Sequence, residues 1–254
     1  MDLGLEGRSA IVTGGSRGIG LSIAEALAAE GARVTICARN EDRLAEAAKR
    51  VTAAGADVLT VACDVTSRED CERLIEAAAE RFGGIDILVN NAGASVRGDD
   101  LDAVWRDSFE LNTLASVRLM ELAKPYLAEA EGGGAVVNIS SIFGRESGGS
   151  PQYNATKSAQ LAMGKVYALD WAQQGVRVNT IAPGSIAFPG GSWGQRLEDD
   201  PKAMAAFIEA NIAGGRFGKP EEVAAVVAFV VSPRASWLIG ATINVDGGQS
   251  RSNI

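Results

Sequence analysis

Tyr153 and Lys157 stand four residues apart where a helix should begin, so both side chains fall on one face. A phenol with an ordinary pKa of about 10 exchanges protons poorly at neutral pH, but a neighbouring ammonium favours the phenolate and lowers that value. Such a pair can pass a proton to or from an alcohol or ketone. Ser141 ends the strand before this helix, where its hydroxyl can bond the same oxygen. By itself a Tyr-x-x-x-Lys is also an ordinary helix-surface pair. Its place behind Ser140-Ser141, and downstream of a glycine loop, favours the chemical reading.

That loop is Thr13-Gly14-Gly15-Ser16-Arg17-Gly18-Ile19-Gly20, which joins an apolar strand to an Ala/Leu-rich helix. Gly14, Gly18 and Gly20 let backbone turn tightly and approach a ligand. The helix they open presents free N–H groups and a positive dipole end, so a pyrophosphate suits it. The spacing is G-x-x-x-G-x-G, which matches the common dinucleotide fingerprint only in mechanism; a strand-to-helix turn without a ligand is the alternative.

Strand and helix alternate around these residues. Strands are expected at Gly7 to Val12, Arg33 to Ala38, Asp57 to Cys63, Asp86 to Val89, Ala135 to Ser140, Val176 to Ile181 and Ala241 to Val245. Ile19, Ile23 and Leu27 recur along the first helix, which Gly31 closes. Further helices fit Glu41 to Ala54, Ser67 to Phe82 with Ser67 as N-cap, about Leu101 to Ala130, about Gln152 to Gln173, and Glu221 to Val231. This order implies one α/β domain over residues 1–254: a doubly wound parallel sheet of seven strands with helices on both faces and ligands at the strands' C-terminal ends. An irregular excursion at about 185–217, with glycines at 190 and 191 and a helix at Pro201 to Ile212, reads as a substrate lid.

Composition removes other chemistries. The chain of 254 residues has 24 Lys and Arg against 32 Asp and Glu, net −8, and no block of basic residues, which disfavours nucleic acid or an anionic membrane as partner. It has no histidine, so His triads and His metal sites are excluded, and no metal is expected. Cys37, Cys63 and Cys71 lack paired or ligand-like spacing and read as core thiols. The acidic segment Met1 to Gly7 is no signal peptide and no apolar run reaches spanning length, so a cytoplasmic location is expected.

Taken together, these motifs resemble the short-chain dehydrogenase/reductase family over nearly the whole chain. The glycine loop is similar to its T-G-x-x-x-G-x-G, Asn90-Asn91-Ala92-Gly93 to its N-N-A-G, Pro183-Gly184 to its P-G, and Gly240 to Gly248 to its closing G-x-x-I-x-V-D-G-G. The resemblance implies a single-domain Rossmann fold. Asn112, Ser141, Tyr153 and Lys157 would be the catalytic tetrad: Tyr153 the acid or base, Ser141 on the carbonyl oxygen, Lys157 on the nicotinamide ribose, Asn112 positioning a relay water. A structural Asn bonding nearby backbone is the other reading of Asn112. Gly14, Ser16, Arg17, Gly18, Ile19 and Gly20 would hold the pyrophosphate, Asp64 and Val65 the adenine, Asn90, Asn91, Ala92 and Gly93 the adenosine and ribose, and Pro183, Gly184 and the Ile186 backbone the nicotinamide. Asp64 also fits a simple turn role, and Asn91-Ala92-Gly93 a tight turn. Phe188 stands where many relatives carry a threonine for the nicotinamide amide.

The second strand ends in Ala38-Arg39-Asn40, without the carboxylate that would bind ribose hydroxyls, and Arg17 and Arg39 can meet a 2′-phosphate, so NADP(H) is expected over NAD(H). The implied activity is reversible reduction of a ketone to a secondary alcohol, with resemblance to 3-oxoacyl-carrier-protein reductases and hence an acyl thioester as one substrate class. Dehydrogenation of a sugar, steroid or other secondary alcohol, and a non-catalytic NADP(H)-sensing protein, are the alternatives. Val96, Phe143, Arg145, Glu146, Phe188, Trp193, Met204 and Phe207 are expected to shape the pocket, with Arg97, Arg145 and Arg196 available to an anion. The resemblance also implies a homotetramer built on the two long helices and the last strand.

Overall fold

The computed structural model describes residues 2–253; Met1 and Ile254 lie outside the described residues. Seven strands form one parallel sheet in the order β3-β2-β1-β4-β5-β6-β7: β1 Ser9–Thr13, β2 Arg33–Ala38, β3 Val58–Ala62, β4 Ile87–Asn90, β5 Ala135–Ile139, β6 Arg177–Pro183 and β7 Thr242–Val245. Strand order reverses between β1 and β4, which places the ligand crevice at their C-terminal ends. The expected strands are all present, β2 with both its expected ends and the others with ends displaced by at most two residues.

Successive strand residues point to opposite faces, and each face finds its own helices. On one face Val12, Ile36, Val89 and Val137 pack against α1 (Gly18–Ala29), α2 (Glu41–Ala53) and α9 (Pro220–Val231). On the other, Ile11, Cys37, Leu88 and Val136 meet α3 (Arg68–Phe82), α5 (Ala115–Glu129) and α6 (Pro151–Trp171). Ser67 caps α3 as expected, accepting from the Asp70 N–H at 3.3 Å, and Gly83 ends it at φ +78°. Gly31, at φ +81°, follows the end of α1.

The long helix expected from Leu101 to Ala130 is interrupted. It divides into α4 (Leu101–Phe109), a π-helical turn at Glu110–Leu114, and α5. Inside that turn the Asn112 amide donates to Ser108 O at 3.0 Å, the carbonyl that an α-helical ladder would give to the Asn112 backbone N–H.

The excursion after β6 closes on itself. Ile186 bridges to Gly218, and α7 (Ser192–Asp199), which the sequence reading left irregular, precedes α8 (Pro201–Asn211). Trp193 of α7 packs at 4.9 Å from Phe207 and 5.3 Å from Phe217, a small aromatic core that holds the segment together. At the far side of the sheet, Arg177 on β6 donates to the carbonyls of Val230, Val231, Ser232 and Ala235 at 2.9–3.1 Å, gathering the end of α9 and the turn after it. Among the described residues no helix is long and apolar enough to cross a membrane.

Candidate active site

The glycine loop is set by Thr13, whose hydroxyl donates to Val89 O at 3.4 Å and accepts from the Asn91 and Ala92 N–H groups at 2.9 and 3.0 Å. Asn91 completes the joint between β1 and β4, donating from Nδ2 to Thr13 O at 2.8 Å and Gly14 O at 3.3 Å. Gly14 and Gly18 take left-handed φ of +63° and +54°, and a Cβ on Gly20 would strike the Gly14 carbonyl and the Asn91 amide. The loop therefore has its form because these positions lack side chains. It leads into the N-terminus of α1, where Arg17 is the extended N-cap and no side chain caps the helix amides. Such amides are a ready anion site.

One cleft of about 620 Å³ runs from this loop across the ends of β2, β3, β4 and β5. Gly14, Ser16, Arg17, Ile19, Gly20, Arg39, Asp64, Val65, Asn91, Ala92, Gly93, Ser141, Tyr153, Lys157, Pro183, Gly184 and Ile186 all line it, as does Ala38. Asp64 also makes a local turn, accepting from the Thr66 N–H at 3.0 Å. Three expectations change. Gly18 does not open to the cleft, because the Phe188 ring covers its Cα; Asn90 is buried and bonds Asn138 Oδ1 at 2.9 Å across β4 and β5; Asn112 is wholly buried behind the cleft wall.

The catalytic candidates nevertheless converge. Ser141, extended ahead of a 3₁₀ turn, accepts from the Phe143 N–H at 3.1 Å, which leaves its own proton free to donate. Its hydroxyl pairs with the Tyr153 phenol. Lys157 Nζ lies 5.8 Å from the Tyr153 ring centre and is 3% exposed. Its ammonium donates to Ile139 O at 2.9 Å and Gln160 Oε1 at 3.1 Å. Gly93 is its neighbour in the wall: a Cβ there would lie 2.9 Å from Asn112 Oδ1 and 3.3 Å from Lys157 Nζ. Asn112 spends both amide N–H groups, on Ala94 O and Ser108 O, while Oδ1 accepts from the Ala94 N–H at 3.0 Å. It thereby fixes the Gly93-Ala94 wall beside Lys157, the structural role that was its other reading.

Burial dominates the electrostatics. It pushes the Lys157 ammonium down to about 7 and pushes the Tyr153 phenol up, with the Ser141 hydrogen bond opposing the latter. The expected depression of the phenol by the lysine is thus outweighed here: both groups are desolvated, and a lysine near 7 is only partly charged at neutral pH.

Val96, Phe188 and Trp193 line the cleft as expected, joined by Ala94 and Ser192, and the carboxylates of Asp107 and Glu110 line it as well. Phe143, Arg145, Glu146, Met204 and Phe207 do not reach it. Phe143 packs over Gly148, Arg145 donates to Asn244 Oδ1 at 2.7 Å, and Glu146 accepts from the Arg251 N–H at 3.1 Å. Arg196 stacks on the Trp193 ring at 4.8 Å, and Arg97 is exposed. Gln160 was missed, although it sits three residues beyond Lys157 on the same helix face. The three thiols form a buried group beneath the β2–β3 end of the cleft: the Cys71 thiol donates to Val65 O at 3.3 Å, hydrogen bonding with Cys37 and burial push Cys63 up to about 12, and hydrogen bonding with Cys63 and burial push Cys71 up as well.

A family model described as "Enoyl-(Acyl carrier protein) reductase" matches residues 14–250, a span that takes in the loop, the tetrad and β7. A tropinone reductase homolog of Arabidopsis thaliana is 40% identical over 250 residues, 97% of this chain and 91% of its own length. The chain belongs to the short-chain dehydrogenase/reductase family. This reductase-family chain is therefore an oxidoreductase in class, and its fold has close solved counterparts. L-sorbose reductase from Gluconobacter frateurii, in complex with NADPH and L-sorbose, superposes with a TM-score of 0.90 at 36% identity, covering 99% of this chain and 100% of that one. A 7α-hydroxysteroid dehydrogenase, in complex with NADH and 7-oxo glycochenodeoxycholic acid, gives 0.90 at 30% identity, covering 99% and 97%. The family's members thus take either nicotinamide nucleotide.

Proposed function

We propose that this short-chain dehydrogenase/reductase reduces a ketone to a secondary alcohol, reversibly, with NADP(H). The observation that carries this reading is the meeting of Ser141, Tyr153 and Lys157 on one wall of a cleft whose other end is a bare helix N-terminus. The cradle fits the nucleotide, since Gly14 and Gly20 hold backbone where any side chain would intrude and the α1 amides face that end. When bound, the nicotinamide supplies or accepts the hydride. Tyr153 gives the carbonyl oxygen its proton, and Ser141, oriented by the Phe143 N–H, donates a hydrogen bond to that oxygen. Lys157 turns its remaining N–H toward the ribose hydroxyls.

Ala38 stands where a ribose-binding carboxylate would repel a 2′-phosphate, and Arg17 and Arg39 line the same end. Arg17 is held by Gly190 O at 2.9 Å, which fixes its guanidinium and leaves other N–H donors free. The apolar side chains of Val96, Phe188 and Trp193 suit the carbon frame of a ketone. The segment at 185–217 forms the wall opposite Ser141 and is proposed as the lid.

NADPH and NADH oxidation, measured in parallel against acetoacetyl thioesters, diketones, cyclic ketones and keto sugars, tests the reading. NADPH should be preferred, and Arg39→Ala should raise its KM about tenfold while leaving that for NADH within about threefold. An unchanged NADPH KM would remove Arg39 from the cofactor site, and no turnover of any ketone would remove the reaction. Association as a tetramer is part of the same proposal: Leu101, Trp105 and Phe109 are exposed at four-residue spacing, and Val166 and Leu169 are exposed three apart on α6. Light scattering that reads a monomer at micromolar concentration would overturn it.

A further inference from the structure

Lys157 has three N–H donors and almost no water. Ile139 O takes one and Gln160 Oε1 another, and the third is left facing Gly93 and the cleft. Gln160 is 0% exposed, and its Nε2 donates in turn to Ser116 Oγ at 3.1 Å, where Ser116 is 3% exposed. The orientation of this amide is forced, because the flipped form would set an NH2 against the ammonium. A glutamine buried among the alanines of α6 costs desolvation unless both its ends are bonded, and here both are.

We propose that Gln160 is a positioning residue for Lys157: through a buried chain ending on Ser116 it supports the ammonium form against burial and aims its free N–H into the cleft. The proposal takes its functional consequence from the ketone reductase reading, but not its geometry. A neutral oxygen acceptor favours the charged lysine, and two fixed bonds define the direction of the third. No carboxylate does this work. Tyr153 is the titratable group that faces Lys157 from its own helix; Glu110 on the π-helical turn is paired with Arg118 at 2.7 Å, Asp107 of α4 lines the same cleft, Arg145 after the 3₁₀ turn is held by Asn244, and β5 meets the ammonium through the Ile139 carbonyl. Burial alone pushes Lys157 down to about 7, so the acceptor acts where the charge balance is closest.

The full chain, Gln160→Met and Gln160→Glu should be compared by two readouts. Lysine side-chain NMR without nucleotide, with Lys157 assigned by Lys157→Met, gives its titration midpoint; kcat/KM for ketone reduction gives the limb lost as pH rises and the ammonium deprotonates. Gln160→Met removes the acceptor and should lower the midpoint by about one pH unit, with the activity limb moving down alike. Gln160→Glu keeps an acceptor and adds charge, so both should move up. A purely structural role would harm both variants in the same sense. Midpoints that shift in one direction, or stay in place in both, overturn the proposal. If Gln160→Met does not fold, the Gln160→Glu midpoint decides, upward supporting and unmoved refuting. A wild type that reduces no ketone overturns the reductase reading alone, and the titration still decides the role of Gln160.

Discussion

Tyr153→Phe is expected to lower kcat/KM for ketone reduction by about 10³-fold while leaving NADPH affinity within about threefold. The phenylalanine keeps the ring in its place above Ser141 and beside Lys157 and removes one oxygen, so the fold and the cradle at α1 are untouched. What disappears, in the proposed reaction, is the phenol that would protonate the carbonyl oxygen: Lys157 has donors committed to Ile139 and Gln160, and Ser141 is too weak an acid to replace the phenol. Steady-state rates beside a fluorescence titration of NADPH separate the two quantities. Turnover that survives the substitution would sink the proton-transfer role, and parallel loss of nucleotide binding would show that the tyrosine holds the cofactor instead.

Arg177→Met should cost about 3 kcal/mol of stability, read as a lower urea midpoint at unchanged m. The guanidinium serves four carbonyls at once, those of Val230, Val231, Ser232 and Ala235, at the end of α9 where unpaired C=O groups and the negative dipole end collect. Burial works against its charge, as does the nearby Arg8, yet arginine stays protonated. Methionine fills the stem and abandons all four acceptors. Lysine should recover only part, because a point charge with three donors cannot span the fork. Since α9 packs against α1, the loss should also loosen the helix that opens the glycine loop. An unfolding free energy within about 0.3 kcal/mol of wild type would mean that water serves these carbonyls equally well.

The parts of this fold that were legible in the sequence are those specified by neighbours in the chain. β2 was readable to the residue from its β-branched run, the cap at Ser67 from one hydroxyl before an acidic turn, and the Tyr153/Lys157 pair from helical spacing. What escaped depends on partners far away. The π-helical turn exists because Asn112 reaches Ala94 and Ser108, and nothing in Glu110–Leu114 announces that. Asn90 and Asn91 look alike in sequence, but strand alternation sends one to Asn138 and the other to the glycine loop. Gly18 was expected to face a ligand and is roofed by Phe188, 170 positions along the chain. Arg145 and Glu146 sit at the right place in the sequence and turn toward Asn244 and Arg251 instead. Gln160 did carry a usable signal, a lone amide at i+3 from the lysine.

The three thiols at the β2–β3 end of the cleft have a chemical consequence of their own. A sulfur reacts with peroxides and alkylating agents as thiolate, and with Cys63 pushed up to about 12 that form is scarce at pH 7. Cys71 is shielded in the same way, and Cys37 is buried beside them, with it and Cys63 bordering the cleft. Mutual hydrogen bonding and burial thus hold Cys63 and Cys71 in the thiol form, which makes them poor nucleophiles beside the cleft of an oxidoreductase.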